Sequence, residues 1–486
     1  MAAGTRYWIP LEYAQNPFVC GVIGGPSLGQ ALRHMPTLRS ISVLTRERAV
    51  HGLSWTTVKT ILSLPQIQEV SITGLLLCPS KLPHDDYRLD SWAPLTSFHY
   101  EVFSNRIDGM KTRQNYPFPS EEEVLLLVLS RIHTSLEKLV LSTEPAPLLA
   151  MSQWTWPRLR ELRLRGERRS LPPVPYMTLL SAMPNLRTLI LEFTLVSEEC
   201  THAGPLWPPG SHMPFPWPDL THLSVANPNP SDELYRYLPP SVRVLSLCCR
   251  PHKSEKAWIS TLLIYTVHVY EYPVLTSAEM LGILENCHLP HLTRLEIEYE
   301  VREREGELDL LRRLGSMFPQ LTWLQIHRYR AATPSGGPGD IPPLASQMQA
   351  GAGLASAGEL DFIDDIAQAL SHLPRLHTIC AHLDLPQQPK IQDNYPFYYN
   401  RAKIDEYTKT LRDVTHCLAR TIPSLETLYF WRPRRTGHIE WAPFEVVRAD
   451  GAAKDDFEIR CPEDVRTYGG PQYPVIPMPD LYGVDP

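Results

Sequence analysis

Pro157-Arg158-Leu159-Arg160-Glu161-Leu162-Arg163-Leu164 is the stretch whose reading decides the fold. An apolar anchor, Leu159, stands two residues after a proline, and apolar residues follow at anchor+3 and anchor+5. The last two alternate with polar neighbours, the period of a short strand with one buried face. The phrase recurs along the chain. It returns as Leu38…Ile41…Val43 after Pro36, Ile67…Val70…Ile72 after Pro65, and Leu186…Leu189…Leu191 after Pro184. Further copies are Leu220…Leu223…Val225, Val242…Leu245…Leu247, Leu292…Leu295…Ile297, Leu321…Leu324…Ile326, Leu376…Ile379…Ala381 and Leu425…Leu428…Phe430, each with its proline. Two copies are looser: Leu95…Phe98…Tyr100 directly after Pro94, and Leu136…Leu139…Leu141 with no proline. All thirty-six key positions are apolar in a chain that is 43% apolar overall. The recurring proline accounts for part of a count of 48 in 486 residues, about twice ordinary usage.

Helical periodicity precedes most of the prolines, at Leu28–Met35, Thr57–Leu64, Glu121–Ile132, Met177–Met183, Glu279–Cys287, Leu308–Phe318, Asp361–Leu373 and Asp405–Ile422. Proline stops each helix and biases the preceding residue toward extended backbone. The unit is therefore helix, proline, turn, strand, loop. One unit cannot bury its own apolar face, whereas stacked units can, with their strands forming one parallel sheet backed by helices. The fold class expected is α/β, an irregular solenoid with a curved parallel sheet.

Leu159-Arg-Glu-Leu162-Arg-Leu164 resembles the leucine-rich repeat L-x-x-L-x-L residue for residue, and the prolines make the chain similar to the repeat region of fungal F-box/leucine-rich-repeat proteins. The resemblance runs from about Ser27 to Phe430. It implies a leucine-rich-repeat solenoid that binds protein, as the substrate-recognition region of an SCF-type ubiquitin ligase receptor. The sequence departs from it in two ways. No unit has the Asn or Cys that closes a regular repeat, and anchor spacings run from 22 (Leu220 to Val242) to 55 (Leu321 to Leu376). The three-helix F-box that docks a Skp-type adaptor is also not seen before Ser27. The chain is thus read as a truncated product or a member without the box, with the adaptor a partner only if an F-box lies upstream.

The organisation expected is a lead-in over 1–26, the solenoid over 27–431 with long loops at 192–217, 331–358 and 386–400, and a cap and proline-rich tail over 432–486. Trp441–Arg460 alternates as a capping hairpin would. Net charge is −7, which gives no electrostatic footprint for nucleic acid. No apolar run is long enough to span a bilayer, and the N-terminus has no signal-peptide pattern. Nine scattered cysteines without a C-x-x-C pair fit a reduced cytoplasmic or nuclear compartment. The chain is expected to be a monomer outside its complex.

Candidate chemistry is thin. Gly25-Pro-Ser27-Leu-Gly29 matches the G-x-S-x-G nucleophile elbow, so a serine esterase using Ser27 is the alternative function. The preferred reading is a turn in which Ser27 caps the first repeat helix. Cys200, His202 and His212 fit no common zinc spacing, and Cys287-His288 and His416-Cys417 read as helix-end packing. Acidic residues at 361–365 and 121–123 suit helix starts. No catalytic residue, cofactor or metal is expected. What remains is the concave strand face, where the residues between the buried leucines point: Arg163, Arg165, His222, Arg294, Glu296, Glu298, Trp323, Gln325, His327, His382, Tyr429 and Trp431. Aromatic and arginine side chains dominate binding hot spots, so these twelve are the expected partner-binding residues.

Overall fold

The structure is a computed structural model. It describes residues 26–44, 53–74, 77, 89, 91–101, 118–167, 176–194, 204–210, 214–250, 252–254, 274–331, 361–385, 387–389, 401–433, 439–448 and 456–461. The lead-in 1–25, most of the long loops, the Cys200/His202/His212 group and the tail beyond 461 lie outside these residues. The chain forms two compact units, one comprising 1–196, 211–220 and 480–486, the other 197–210 and 221–479.

In the first unit the strands are β1 (Ser40–Leu44), β2 (Glu69–Thr73), β3 (Ser97–Glu101), β4 (Lys138–Ser142), β5 (Glu161–Glu167) and β6 (Thr188–Thr194). Each pairs in parallel with the next. Its helices are α1 (Pro26–Arg33), α2 (Trp55–Leu62), α3 (Phe118–Ile132), α4 (Leu148–Met151) and α5 (Tyr176–Leu180). In the second unit β7 (His222–Ala226), β8 (Val244–Cys248), β9 (Arg294–Val301), β10 (Trp323–Arg330), β11 (Thr378–His382) and β12 (Thr427–Pro433) are again parallel in chain order. β13 (Ile439–Arg448) and β14 (Phe457–Arg460) then pair antiparallel. Its helices are α6 (Ser277–Glu285), α7 (Arg304–Met317), α8 (Asp361–Leu370) and α9 (Arg401–Thr421). This is an α/β solenoid: strand order follows chain order and does not close on itself.

All twelve phrases become strands β1 to β12. From Ile67 to Leu425 each of the eleven anchors is 0% exposed. Leu38, in the first repeat, is only half-buried. The proline has a more specific task than stopping a helix. In nine units the anchor N–H donates to the carbonyl three residues back, as Leu292 does to Leu289 (3.1 Å) and Leu321 to Phe318 (3.0 Å). Proline is then the second residue of a β-turn, where its fixed φ is already correct. The helices that precede a proline end short of the sequence-based boundaries, because the turn consumes the residues before the proline, whereas α3, with no proline after it, ends at Ile132 as expected. Where Leu136 lacks the proline, its N–H instead continues the helical pattern to Ile132 (3.1 Å).

A backbone ladder stands in for the missing asparagines. In ten units the carbonyl after the anchor accepts two N–H groups from the next repeat. Arg243 O takes those of Thr293 (2.9 Å) and Arg294 (3.0 Å), Thr293 O those of Thr322 and Trp323, and Thr322 O those of His377 and Thr378. Two tyrosines pin helices to the sheet. Tyr100 donates to Glu121 of α3. Tyr299 donates to Glu307 of α7 (3.1 Å), whose carboxylate also takes both Nε (2.6 Å) and Nη2 (3.1 Å) of Arg328.

Gly315 in α7 packs directly on the backbone that follows α8, since a Cβ there would lie 2.6 Å from the carbonyl oxygen of His372. Alanine normally stabilises a helix over glycine by about 1 kcal/mol, but backbone cannot yield as a side-chain tip does. Gly315→Ala should therefore destabilise the fold, by about 1–3 kcal/mol, and Leu321→Ala by about 2–5 kcal/mol. Urea unfolding of both variants checks this, and a stabilised Gly315→Ala would refute the close approach.

Candidate functional site

The residues between the buried leucines lie on the outer side of each sheet, and register alone groups them. In the first unit β5 carries Arg163 and Arg165. Arg163 donates to Glu192 through Nε (3.0 Å) and Nη2 (2.8 Å), and Arg165 donates to Glu101 (2.6 Å). His99 Nε2 lies 2.9 Å from the other Glu101 oxygen, and Ser71 Oγ lies 3.2 Å from His99 Nδ1. Burial would raise the Glu101 carboxyl. The His99 hydrogen bond and the charges of Arg165 and Arg163 win and hold it at about 2. Gly166, at φ +124°, leaves room beside this network for the Glu144 carboxylate.

In the second unit the parallel register stacks three rows. Val244, Arg294, Trp323, Thr378 and Thr427 form the first, and Ser246, Glu296, Gln325, Cys380 and Tyr429 the second. Arg294 lies over the Trp323 ring at 3.7 Å and donates to Glu296 Oε1 (3.1 and 2.9 Å). Ser246 donates to the other Glu296 oxygen (2.7 Å). Trp323 and Tyr429 are half-buried and pack on Cys380, Trp431 and Trp441.

The third row, Glu298, His327 and His382, is buried although it faces outward. The segment after β8, with Cys249, Arg250, His252, Lys253 and Ser254 described, turns back over it. Glu298 holds that segment. It accepts from Cys249 N–H (2.7 Å), His252 Nδ1 (2.7 Å), Lys253 N–H (2.9 Å) and the Tyr329 hydroxyl (3.1 Å). Ser254 N–H in turn donates to Tyr329 (3.1 Å). Four donors, two to each oxygen, compensate the carboxylate for the water it has lost. Burial pushes the His327 imidazole well below its ordinary pKa, and His252 beside it adds to this against the pull of Glu298. Burial also lowers His382, with Asp384 and Glu298 opposing.

Of the twelve expected residues, Arg163 and Arg165 belong to the first unit and the other ten to the second. Arg294, Glu296, Trp323, Tyr429 and His222 are half-buried and reach solvent. Glu298, Gln325, His327, His382 and Trp431 are buried and form the layer beneath. Cys248, Cys249, Arg250, His252, Tyr329 and Trp441 complete this region, and the strand phrase gave no sign of them. Ser27 is exposed in the first turn of α1, which begins at Pro26, so it lies inside the helix rather than at its cap. Cys287 is buried with its thiol on the Ile283 carbonyl (3.4 Å), and Cys417 meets Asp364 (2.8 Å), both as packing groups.

Cys248, His252 and Glu298 each bring a potential metal-ligand atom within 4.8 Å of the others. Their hydrogen bonds argue against that use. Glu298 is committed to four donors, and His252 bonds Glu298 through Nδ1 and faces Arg250 Nη1 at 3.2 Å through Nε2. Burial, then the Glu298 and Glu296 charges, push the Cys248 thiol far from its thiolate form.

The chain matches no described protein family and no curated protein. Among solved structures, a chain from "Crystal structure of Rad7 and Elc1 complex in yeast" aligns at 15% identity over 66% of this chain and 86% of its own length, with a TM-score of 0.25. A likeness of that size carries no argument about what this chain does.

Because the folded Glu101 pKa is depressed, its stabilisation is full above its ordinary value of 4.5 and is lost as pH falls toward about 2. Urea unfolding from pH 7 to 3 should show this acid limb, and Glu101→Gln should lose stability at pH 7 and flatten the limb.

Proposed function

We propose that the chain is a non-enzymatic scaffold that binds another protein through the outer strand faces. The observation that carries this is the open patch of the second unit. Arg294 is held over the Trp323 ring, Glu296 is fixed between Arg294 and Ser246, and Tyr429 stands two strands from Trp323. Arginine and aromatic groups locked in one geometry lose little entropy on docking, which suits a hot spot. Arg163 and Arg165, tied to Glu192 and Glu101, and His222 extend the contact set on the same reasoning. The five buried residues support this surface from below. A Skp-type adaptor and a substrate-receptor role in an SCF-type ubiquitin ligase are the finer form of the proposal, on the strength of the repeat resemblance.

Affinity purification followed by reconstitution with the purified partner tests the reading. Trp323→Ala should weaken binding at least about 30-fold, equivalent to about 2 kcal/mol, and Arg294→Glu should do likewise by placing two carboxylates together. Arg312→Glu, on the exposed side of α7, should leave binding unchanged. Loss with Arg312→Glu alone would move the contact to the helices. Recovery of the adaptor with the full-length protein tests the ligase role, and its absence removes that role.

A further inference from the structure

The segment Cys249–Ser254, of which Pro251 lies outside the described residues, is fastened to the outer face of β9 and β10. Its fastening has an unusual neighbour. His327 is 0% exposed and is stacked on His252 at 3.8 Å between ring centroids and 11° between planes. His382 lies beyond it at 6.2 Å, and Trp441 meets its edge at 5.5 Å. The Gln325 amide Nε2 donates to its Nε2 (2.8 Å), so the neutral ring carries its proton on Nδ1, which has no hydrogen-bond partner.

A neutral imidazole tolerates this setting and an imidazolium does not. Protonation adds a hydrogen at Nε2, which would then face the Gln325 amide donor to donor, so that both ring N–H groups would be buried without an acceptor. The new charge would face His252 and Arg250 from the segment and His382 from β11. Among the described residues Glu298 of β9 opposes them, and its oxygens already serve four donors. The second histidine of the row is less decisive, because Asp384 and Glu298 face His382 along with Arg328. A proton on His252 would strengthen its bond to Glu298 but would remove the lone pair that faces Arg250 Nη1.

We propose that the segment Cys249–Ser254 is an acid-released cover on the outer face: it is closed over Glu298, His327 and Tyr329 at neutral pH and comes off when His327 takes a proton. Opening lets water and Gln325 solvate the imidazolium, so the open form binds a proton that the closed form excludes. Below the ordinary histidine pKa of about 6.5, the open fraction rises about tenfold for each pH unit. Release uncovers Tyr329, His327 and the edge of Trp441 beside the Arg294/Trp323 patch. In its consequence for binding, this rests on the strand-face reading above. The release itself does not.

Hydrogen exchange on the full chain tests it directly, read at the Cys249 and Lys253 amides that donate to Glu298 and corrected for the intrinsic pH dependence of exchange. Their protection should be constant above pH 7 and fall about tenfold per pH unit between 6.5 and 5, while the Leu295 amide in β9 stays protected. His327→Gln, or His327→Phe if the first variant does not fold, should remove that slope. Glu298→Gln should leave both amides poorly protected at every pH. Unchanged wild-type protection between pH 7.5 and 5, or the same slope in the His327 variants, overturns the proposal. So does loss of protection at pH 7.5 on adding a chelator, which would assign the closure to a metal on Cys248, His252 and Glu298. Because no partner enters the measurement, this outcome and that of the Trp323→Ala binding assay are independent.

Discussion

Most repeats depend on one coupled constraint: the residue that buries its side chain completely also begins the hydrogen-bonded register of the next strand. The anchor's N–H closes the proline turn, and the next residue's carbonyl accepts two N–H groups from the following repeat. Moving an anchor would therefore open an apolar hole, a turn and a ladder rung together. Burial fixes the position along the strand, and the ladder passes that register on, so Arg294, Trp323 and Thr378 lie in one row though far apart in sequence. Regular repeats of the resembled kind close their turns with a side-chain amide. Here rigid proline and backbone alone serve, which leaves the intervening loops free to vary from 22 to 55 residues between anchors.

Three buried carboxylates are each met by a tyrosine hydroxyl and at least one further donor. Glu121 meets Tyr100 and the Leu77 N–H, Glu307 meets Tyr299 and Arg328, and Glu298 meets Tyr329 and three donors from the covering segment. The first two fasten helices on the inner side of the sheets and the third fastens a loop on the outer side. A tyrosine hydroxyl is well suited to each task, since it brings a neutral donor on a rigid apolar ring and adds no second charge to desolvate. The histidine row beside Glu298 is different, because its rings are tolerated for shape and only while neutral. The same outer face thus has a fixed part, built on Arg294 and Trp323, and a part whose cover depends on protonation.

Much of the fold was legible in the sequence, and the site only partly so. The twelve apolar phrases each became a strand, because side-chain alternation is a local property of the backbone. Outward direction was legible for the same reason, which is why Arg294, Trp323, Glu298 and His327 could be named together. Their separation into surface and interior was not legible. Glu298 and His327 have the same alternation as Glu296 and Gln325, and what buries them is a segment some fifty residues earlier for Glu298, together with Trp441 from β13. The one sequence sign of that segment, the adjoining Cys248 and Cys249 with His252 four residues beyond the first, suggested no contact with β9.

The sequence by itself determined the repeat, its strand and helix order and the sidedness of each strand, because these follow from periodicity and from proline's fixed φ within a few residues. Only the tertiary structure decided which outward residues meet solvent, how His252 comes to lie on His327, and why Gly315 must lack a side chain. Those outcomes depend on distances between segments that are remote in the chain, and no short-range pattern of residue types encodes such distances.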